Sequence, residues 1–167
     1  MKIIITLILV FTRQSMAQHR EHTAHKHGSA EMAIAFQEKS GEIDIEVPSE
    51  SIFGFEYEAK KDSDKKRQQA ALDNLEKNIS KMVQFNAALK CVISKDVIEV
   101  KQIKGKNHSS VHAVFKVACE KSPLGTQLGL NIQENFPKIK DIDLALIIDD
   151  LQKSVQVTQS TKIELKK

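Results

Sequence analysis

The sequence predicts an α+β fold, mostly antiparallel sheet with two helices, as a single compact domain after a signal peptide. Several short runs alternate apolar and polar residues, which is the pattern of half-buried strands. One longer stretch repeats its apolar residues at helical spacing, and the chain begins with a short apolar segment. Together with a group of histidines, these patterns divide the chain into a signal peptide (1–17), a histidine-rich tail (18–28) and one domain (29–167).

Residues 1–17 have the parts of a secretory signal peptide. Lys2 gives a positive start, residues 3–11 are apolar, and Ser-Met-Ala at 15–17 is a small-x-small cleavage site. The apolar run is shorter than the ~20 residues that a membrane-spanning helix needs, and a core helix here would lie directly against a polar tract. We therefore expect cleavage before Gln18 and no membrane insertion of the mature chain.

The mature chain is predicted to be nearly neutral. Removing the signal peptide removes Lys2 and Arg13 from the 25 basic residues, and 23 remain against 22 acidic residues. No basic run interleaved with aromatic residues is present in the sequence. Nucleic acid is therefore not expected as a partner.

The tail holds four of the six histidines: His19, His22, His25 and His27. Neutral imidazole is a common zinc ligand, and several histidines in a short tract indicate metal binding. On an extended chain, His25 and His27 leave the same side about 6.5 Å apart at Cα, close enough to share an ion. An expression tag would be a continuous run, whereas this tract is interrupted. Solvated surface without metal is the alternative.

The domain is predicted to begin with a β-hairpin. Apolar residues alternate along residues 31–36 and 43–47, and Gly41 lies in the turn signal between them. The second strand has an acidic outer face: Glu42, Asp44 and Glu46. Pro48 ends it, and residues 49–58 are expected to form a compact loop.

Two helices are predicted. Residues 63–85 carry an apolar stripe at helical spacing and an acidic or serine cap. A second helix is expected from Ser122-Pro123 to Phe136-Pro137, with Ser as cap and Pro at the first position, although two glycines weaken it. The other alternating runs predict strands: residues 89–103 with a break near 94–96, 108–119 after a turn at 104–107, 142–148, and two short strands near 155–157 and 163–165.

The two cysteines are predicted to form a disulfide. Cys91 and Cys119 both fall on inward positions of predicted strands, and an even number of cysteines in an exported chain favours a bridge. A pair of thiolate metal ligands is the alternative.

His108 and His112 are the two histidines outside the tail. On a straight strand they would lie about 13 Å apart at Cα, so sharing an ion requires a bend, and plain surface histidines are the alternative. Our hypothesis is one ordered metal site that draws on His25 and His27 with His108 or His112. His19 and His22 then form a loose collecting tail. Candidate carboxylate ligands are Glu31 and Glu56.

Several motifs follow one another in a specific order: His25-Lys-His27-Gly-Ser-Ala-Glu31, Gly54-Phe-Glu56, His108-Ser-Ser-Val-His112 leading to Cys119, and Phe136-Pro137. In this order they resemble the ZrgA-like family of zinc-regulated periplasmic proteins over nearly the whole mature chain. The resemblance implies a periplasmic protein that binds zinc and assists its uptake under scarcity, alongside a zinc ABC importer or its binding protein.

Two departures from this family stand out. Tyr57 occupies the position where related proteins commonly carry a histidine, and residues 104–107 replace a long loop rich in His and Asp. The short loop argues against a high-capacity metal reservoir. It leaves a structured histidine site intact.

The predicted function is zinc capture and delivery rather than catalysis. A zinc-dependent periplasmic enzyme is the first alternative, but the sequence lacks an HExxH motif. An exported structural or interaction module with incidental histidines is the second. Nitrogen ligands suit zinc, copper and nickel alike, so the choice of zinc rests on the family resemblance.

Overall fold

The computed structural model describes residues 27–102 and 107–167. The predicted signal peptide, the tail histidines His19, His22 and His25, and most of the predicted turn at 104–107 lie outside these residues. Among the described helices, none is long and apolar enough to cross a membrane.

Six of the described strands form the larger sheet: β1 (Ser29–Gln37), β2 (Ser40–Pro48), β4 (Val92–Gln102), β5 (Ser109–Ala118), β7 (Asp141–Ile148) and β8 (Leu151–Val157). Their order across the sheet is β4-β5-β2-β1-β7-β8. Neighbouring strands are antiparallel except β1 and β7, which are parallel. The prediction of a mostly antiparallel sheet is confirmed. The sheet is nevertheless mixed, because β1 and β7 pair in parallel.

The remaining elements form a second layer. They are the smaller antiparallel sheet β3-β6-β9 (Val83–Phe85, Gln127–Leu130, Thr161–Glu164), the helices α1 (Ser49–Phe53), α2 (Asp62–Met82) and α3 (Ile132–Asn135), and a 3-10 turn at Ala87–Leu89. The predicted helix at 63–85 matches α2 as far as Met82, but its last three residues form β3 instead. The compact loop expected at 49–58 begins instead with the short helix α1.

The core lies between the inner face of the larger sheet and the layer formed by α2 and the smaller sheet. Alternate residues of β1, β2, β5 and β7 are buried in one cluster with the apolar stripe of α2 and with residues of the smaller sheet. Phe36 on β1 packs edge-on against Phe85 on β3, with 5.3 Å between ring centroids. The opposite face of the larger sheet is mostly half-buried or exposed, and it carries the acidic residues of β2.

The second predicted helix is wrong over most of its length. Ser122 accepts a hydrogen bond from the Leu124 N–H in a local turn, and Gly125 then adopts a φ of +81°, which stops a helix from forming. Residues 127–130 form β6 between β3 and β9, and only the single turn α3 remains helical. Leu124, Leu128 and Ile132 follow at the intervals of four that favoured a helix, but Leu128 and Leu130 lie on either side of Gly129 as buried strand residues.

The predicted disulfide is confirmed, since Cys91 and Cys119 are bridged. The bridge joins the residue before β4 to the residue after β5. The break expected near 94–96 is a bulge between Lys95 and Val97, and β4 continues through it.

Candidate metal centre

Three neighbouring strands bring their ends together at one end of the larger sheet. β5, β2 and β1 lie side by side and alternate in direction, so β1 and β5 start where β2 finishes. His27 lies two residues before β1, His108 lies directly before β5, and α1 follows β2 without a break. Residues that are distant in sequence therefore converge at this end of the sheet.

The short helix α1 and the loop after it position two carboxylates. Gly54 ends the helix with a φ of +94°, and its N–H donates to the Glu50 carbonyl at 3.0 Å, which is a left-handed cap that suits glycine. Phe53 and Phe55 are buried on either side of it, with ring centroids 4.7 Å apart. These aromatic anchors fix the backbone that carries Glu50 and Glu56.

Two histidines and two glutamates meet there, and we call His27, Glu50, Glu56 and His108 the strand-end cluster. His27 Nδ1 lies 3.1 Å from Glu50 Oε2 and 3.7 Å from Glu56 Oε1. His108 Nδ1 forms a hydrogen bond with the other oxygen of Glu56. The two imidazole rings are 6.2 Å apart at their centroids. Glu56 thus faces both histidines at once.

The donor atoms fit a small divalent ion such as zinc. One ligand atom each from His27, Glu50 and Glu56 lies within 4.8 Å of the others. Zinc bonds imidazole nitrogen and carboxylate oxygen at about 2 Å, which places tetrahedral ligands roughly 3.3 Å apart. The His27 distances of 3.1 and 3.7 Å fall on either side of that value. Only small side-chain shifts are needed to surround one ion.

Neighbouring residues hold the strand-end cluster in place. The buried Ser109 hydroxyl donates to the Glu56 carbonyl at 2.8 Å. Gly28, next to His27, accepts from the Lys140 N–H at 2.7 Å. Glu56 keeps only 11% of its side chain exposed, whereas His27 keeps 64% and His108 keeps 54%. The cluster therefore combines a buried central carboxylate with histidines that solvent reaches freely.

Two other predicted site residues, His112 and Glu31, lie on the outer face of the larger sheet, while His19, His22 and His25 are outside the described residues. His112 Nε2 is 3.1 Å from Asp44 Oδ1 and His112 Nδ1 is 3.3 Å from Glu99 Oε1, so its described contacts are to carboxylates of β2 and β4. Glu31 is exposed on β1, opposite Glu46. The structure brings His27, Glu56 and His108 together and places His112 and Glu31 elsewhere.

Sequence reasoning missed Glu50. It lies in a segment expected to be a loop, where a single acidic residue is unremarkable. A detectable signal was present: two glutamates six residues apart flank an aromatic pair centred on Gly54. Because buried Phe53 and Phe55 face the core, the glutamates at either end of this segment stay near the surface.

The comparison with protein families matches this chain along most of its length. A family model described as ZrgA family zinc uptake protein matches residues 24–165, which include the whole strand-end cluster. No curated protein matches the chain significantly.

Proposed function

The chain belongs to the ZrgA family of zinc uptake proteins, and from this premise we propose that it captures zinc at the strand-end cluster in the periplasm. The single observation that carries the proposal is the meeting of His27, Glu50 and Glu56 around one small space, with His108 bonded to Glu56. We further propose that it passes zinc to an importer or to the importer's binding protein when zinc is scarce.

Two features support a binding role rather than catalysis. The histidines of the strand-end cluster are more than half exposed, which favours exchange of the ion with solvent or with a partner protein. Enzymes generally enclose the reacting groups and exclude water from them. The family description also names uptake, not a reaction.

The proposed location rests on the disulfide and on the predicted signal peptide. A bridge between Cys91 and Cys119 suits an oxidising compartment such as the bacterial periplasm. The tail histidines His19 and His22 remain predicted as a collecting segment that raises capacity, and His25 remains predicted to join His27 in the ordered site.

Zinc calorimetry on histidine variants of the exported protein tests the proposal. We expect the double variant H27A/H108A to lose the tightest binding phase, because both imidazoles of the strand-end cluster are removed. The matched control is H112A, which removes an imidazole from the same strand region but leaves the cluster intact, and it should keep that phase. Circular dichroism verifies folding of all three proteins.

The opposite pattern would refute the assignment. If H112A loses the tight phase while H27A/H108A retains it, the outer face binds the metal instead. If the wild-type protein binds no zinc, the proposed function itself fails.

A further inference from the structure

A lysine forms an ion pair with one carboxylate of the strand-end cluster. Lys138 Nζ lies 3.6 Å from Glu50 Oε1, while the other oxygen of the same carboxylate lies 3.1 Å from His27 Nδ1. One carboxylate is therefore shared between a fixed positive charge and a metal-binding nitrogen. A positive charge beside a ligand carboxylate lowers the affinity for a zinc ion, so this lysine would not be needed for tight binding alone.

The backbone holds Lys138 next to the cluster. Its segment runs from α3 to β7, and the neighbouring Lys140 N–H donates to the Gly28 carbonyl at 2.7 Å, one residue from His27. A Cβ added to Gly28 would lie 3.1 Å from the Lys138 carbonyl oxygen, so the two segments are in close contact. The position of this lysine is thus set by the same packing that positions His27.

The two carboxylates of the cluster differ in how firmly they are held. Glu56 is 11% exposed and faces both histidines, whereas Glu50 is 43% exposed and divides its oxygens between His27 and Lys138. Glu56 is positioned to stay bound to an ion in the cluster. Glu50 is positioned to exchange between that ion and Lys138.

We propose that Lys138 is a competing cation, which lowers the zinc affinity of the strand-end cluster and speeds the release of the ion. This inference rests on the proposed function and deepens it. When the site is empty, Lys138 and Glu50 form an ion pair. A divalent ion that binds Glu50 must displace the lysine or tolerate its positive charge nearby, and on release the carboxylate returns to the lysine.

Zinc affinity and release rate of lysine variants test this inference. We expect K138M to lower the zinc Kd roughly fivefold and to slow release to a chelator by a similar factor, an effect kept modest because the ion pair is exposed to solvent. The matched control is K140M, which removes the same charge from the same segment. Lys140 Nζ bonds to the Pro137 carbonyl rather than to a carboxylate of the cluster, so K140M should leave the Kd near the wild-type value.

Two further variants separate charge from structure. K138R keeps the positive charge and should retain a Kd close to that of the wild type. In an E50Q background K138M should no longer differ from K140M, because the carboxylate through which Lys138 acts is gone. Thermal unfolding of the metal-free variants shows that each is folded before zinc is added.

The outcomes distinguish this inference from the function beneath it. If wild-type zinc binding depends on His27 and His108 but K138M behaves like K140M, Lys138 does not compete and the inference is overturned while the function stands. If K138M tightens binding equally with and without Glu50, the effect is a general field effect and the inference is again overturned. If the cluster does not bind zinc, both fail together.

Discussion

Two regions of this protein each place a histidine between two carboxylates, with opposite consequences. In the strand-end cluster, Glu50 and Glu56 both approach the same nitrogen of His27, Nδ1. On the outer face, Asp44 approaches Nε2 of His112 and Glu99 approaches Nδ1, so the carboxylates lie on opposite edges of the ring. The first arrangement surrounds a space that an ion can fill. The second, on the outer face, places the imidazole of His112 between the two carboxylates.

The difference follows from where the residues lie on the strands. His112 projects from the middle of β5, with Asp44 and Glu99 on the strands to either side. Neighbouring strands are about 4.8 Å apart, so their side chains flank a central residue rather than converge on one point. Chain segments beyond the strand ends are not held at this distance by strand pairing, and they can turn toward a common centre. Ligands for one ion are therefore more readily assembled at strand ends than across a flat face.

The largest expected effect comes from the central carboxylate. E56Q should raise the zinc Kd by at least about 100-fold, since the loss of a residue that orients ligands already costs 10- to 100-fold in metal sites. E99Q is the matched control, because it makes the same change at a carboxylate that faces His112, and it should alter the Kd less than about twofold. Competitive titration with a fluorescent chelator measures both. If E56Q and E99Q raise the zinc Kd by the same factor, the strand-end cluster and the outer face do not differ as metal sites.

Acidification should weaken zinc binding at the strand-end cluster by an amount that depends on how many imidazoles bind the ion. Zinc competes with protons for imidazole, whose ordinary pKa is about 6.5, so affinity is highest above this pH and falls below it. Between pH 7.5 and 5.5 the Kd should rise more steeply if two imidazoles bind the ion than if one does. Calorimetry at several pH values measures the slope, and a Kd independent of pH would exclude histidine ligands.

The smallest expected effect is at the outer face. D44N removes the carboxylate that contacts His112 Nε2, and we expect it to lower the free energy of unfolding by less than about 1 kcal/mol, because partly exposed ion pairs contribute little. Urea denaturation of the metal-free protein measures it. Zinc added at 100 times its Kd should stabilise D44N and wild type alike, by about 2.7 kcal/mol. A D44N variant that zinc no longer stabilises would assign the metal to the outer face.

Local patterns predicted the elements whose pairing and burial are regular. The alternation of Ile43, Ile45 and Val47 gave β2 with its acidic outer side, and the apolar stripe of 63–85 gave α2. The parallel pairing of β1 with β7 could not be predicted, because parallel and antiparallel neighbours leave the same alternation in a single strand. β6 was missed because a four-residue strand containing Gly129 is too short to show a period.

Three of the four residues of the strand-end cluster could be anticipated from their chemistry. His27 and His108 were candidates because imidazole is a common zinc ligand, and Glu56 was named as a candidate carboxylate. Choosing between His108 and His112 required the sheet, since alternation on a straight strand places both on the same side. Glu50 required the fold of α1, because glutamates are common and only neighbours in space mark one as a candidate ligand.

The disulfide lies at the opposite end of β5 from the strand-end cluster. Cys119 follows Ala118 and His108 precedes Ser109, and an extended strand of ten residues spans roughly 33 Å. The bridge closes the hairpin of β4 and β5, and β4 is an edge strand of the larger sheet. Reduction of the bridge would therefore loosen the pairing of β4 with β5 at the end that is distant from the strand-end cluster. The pairing of the edge strand and the geometry of the strand-end cluster thus depend on opposite ends of a single strand.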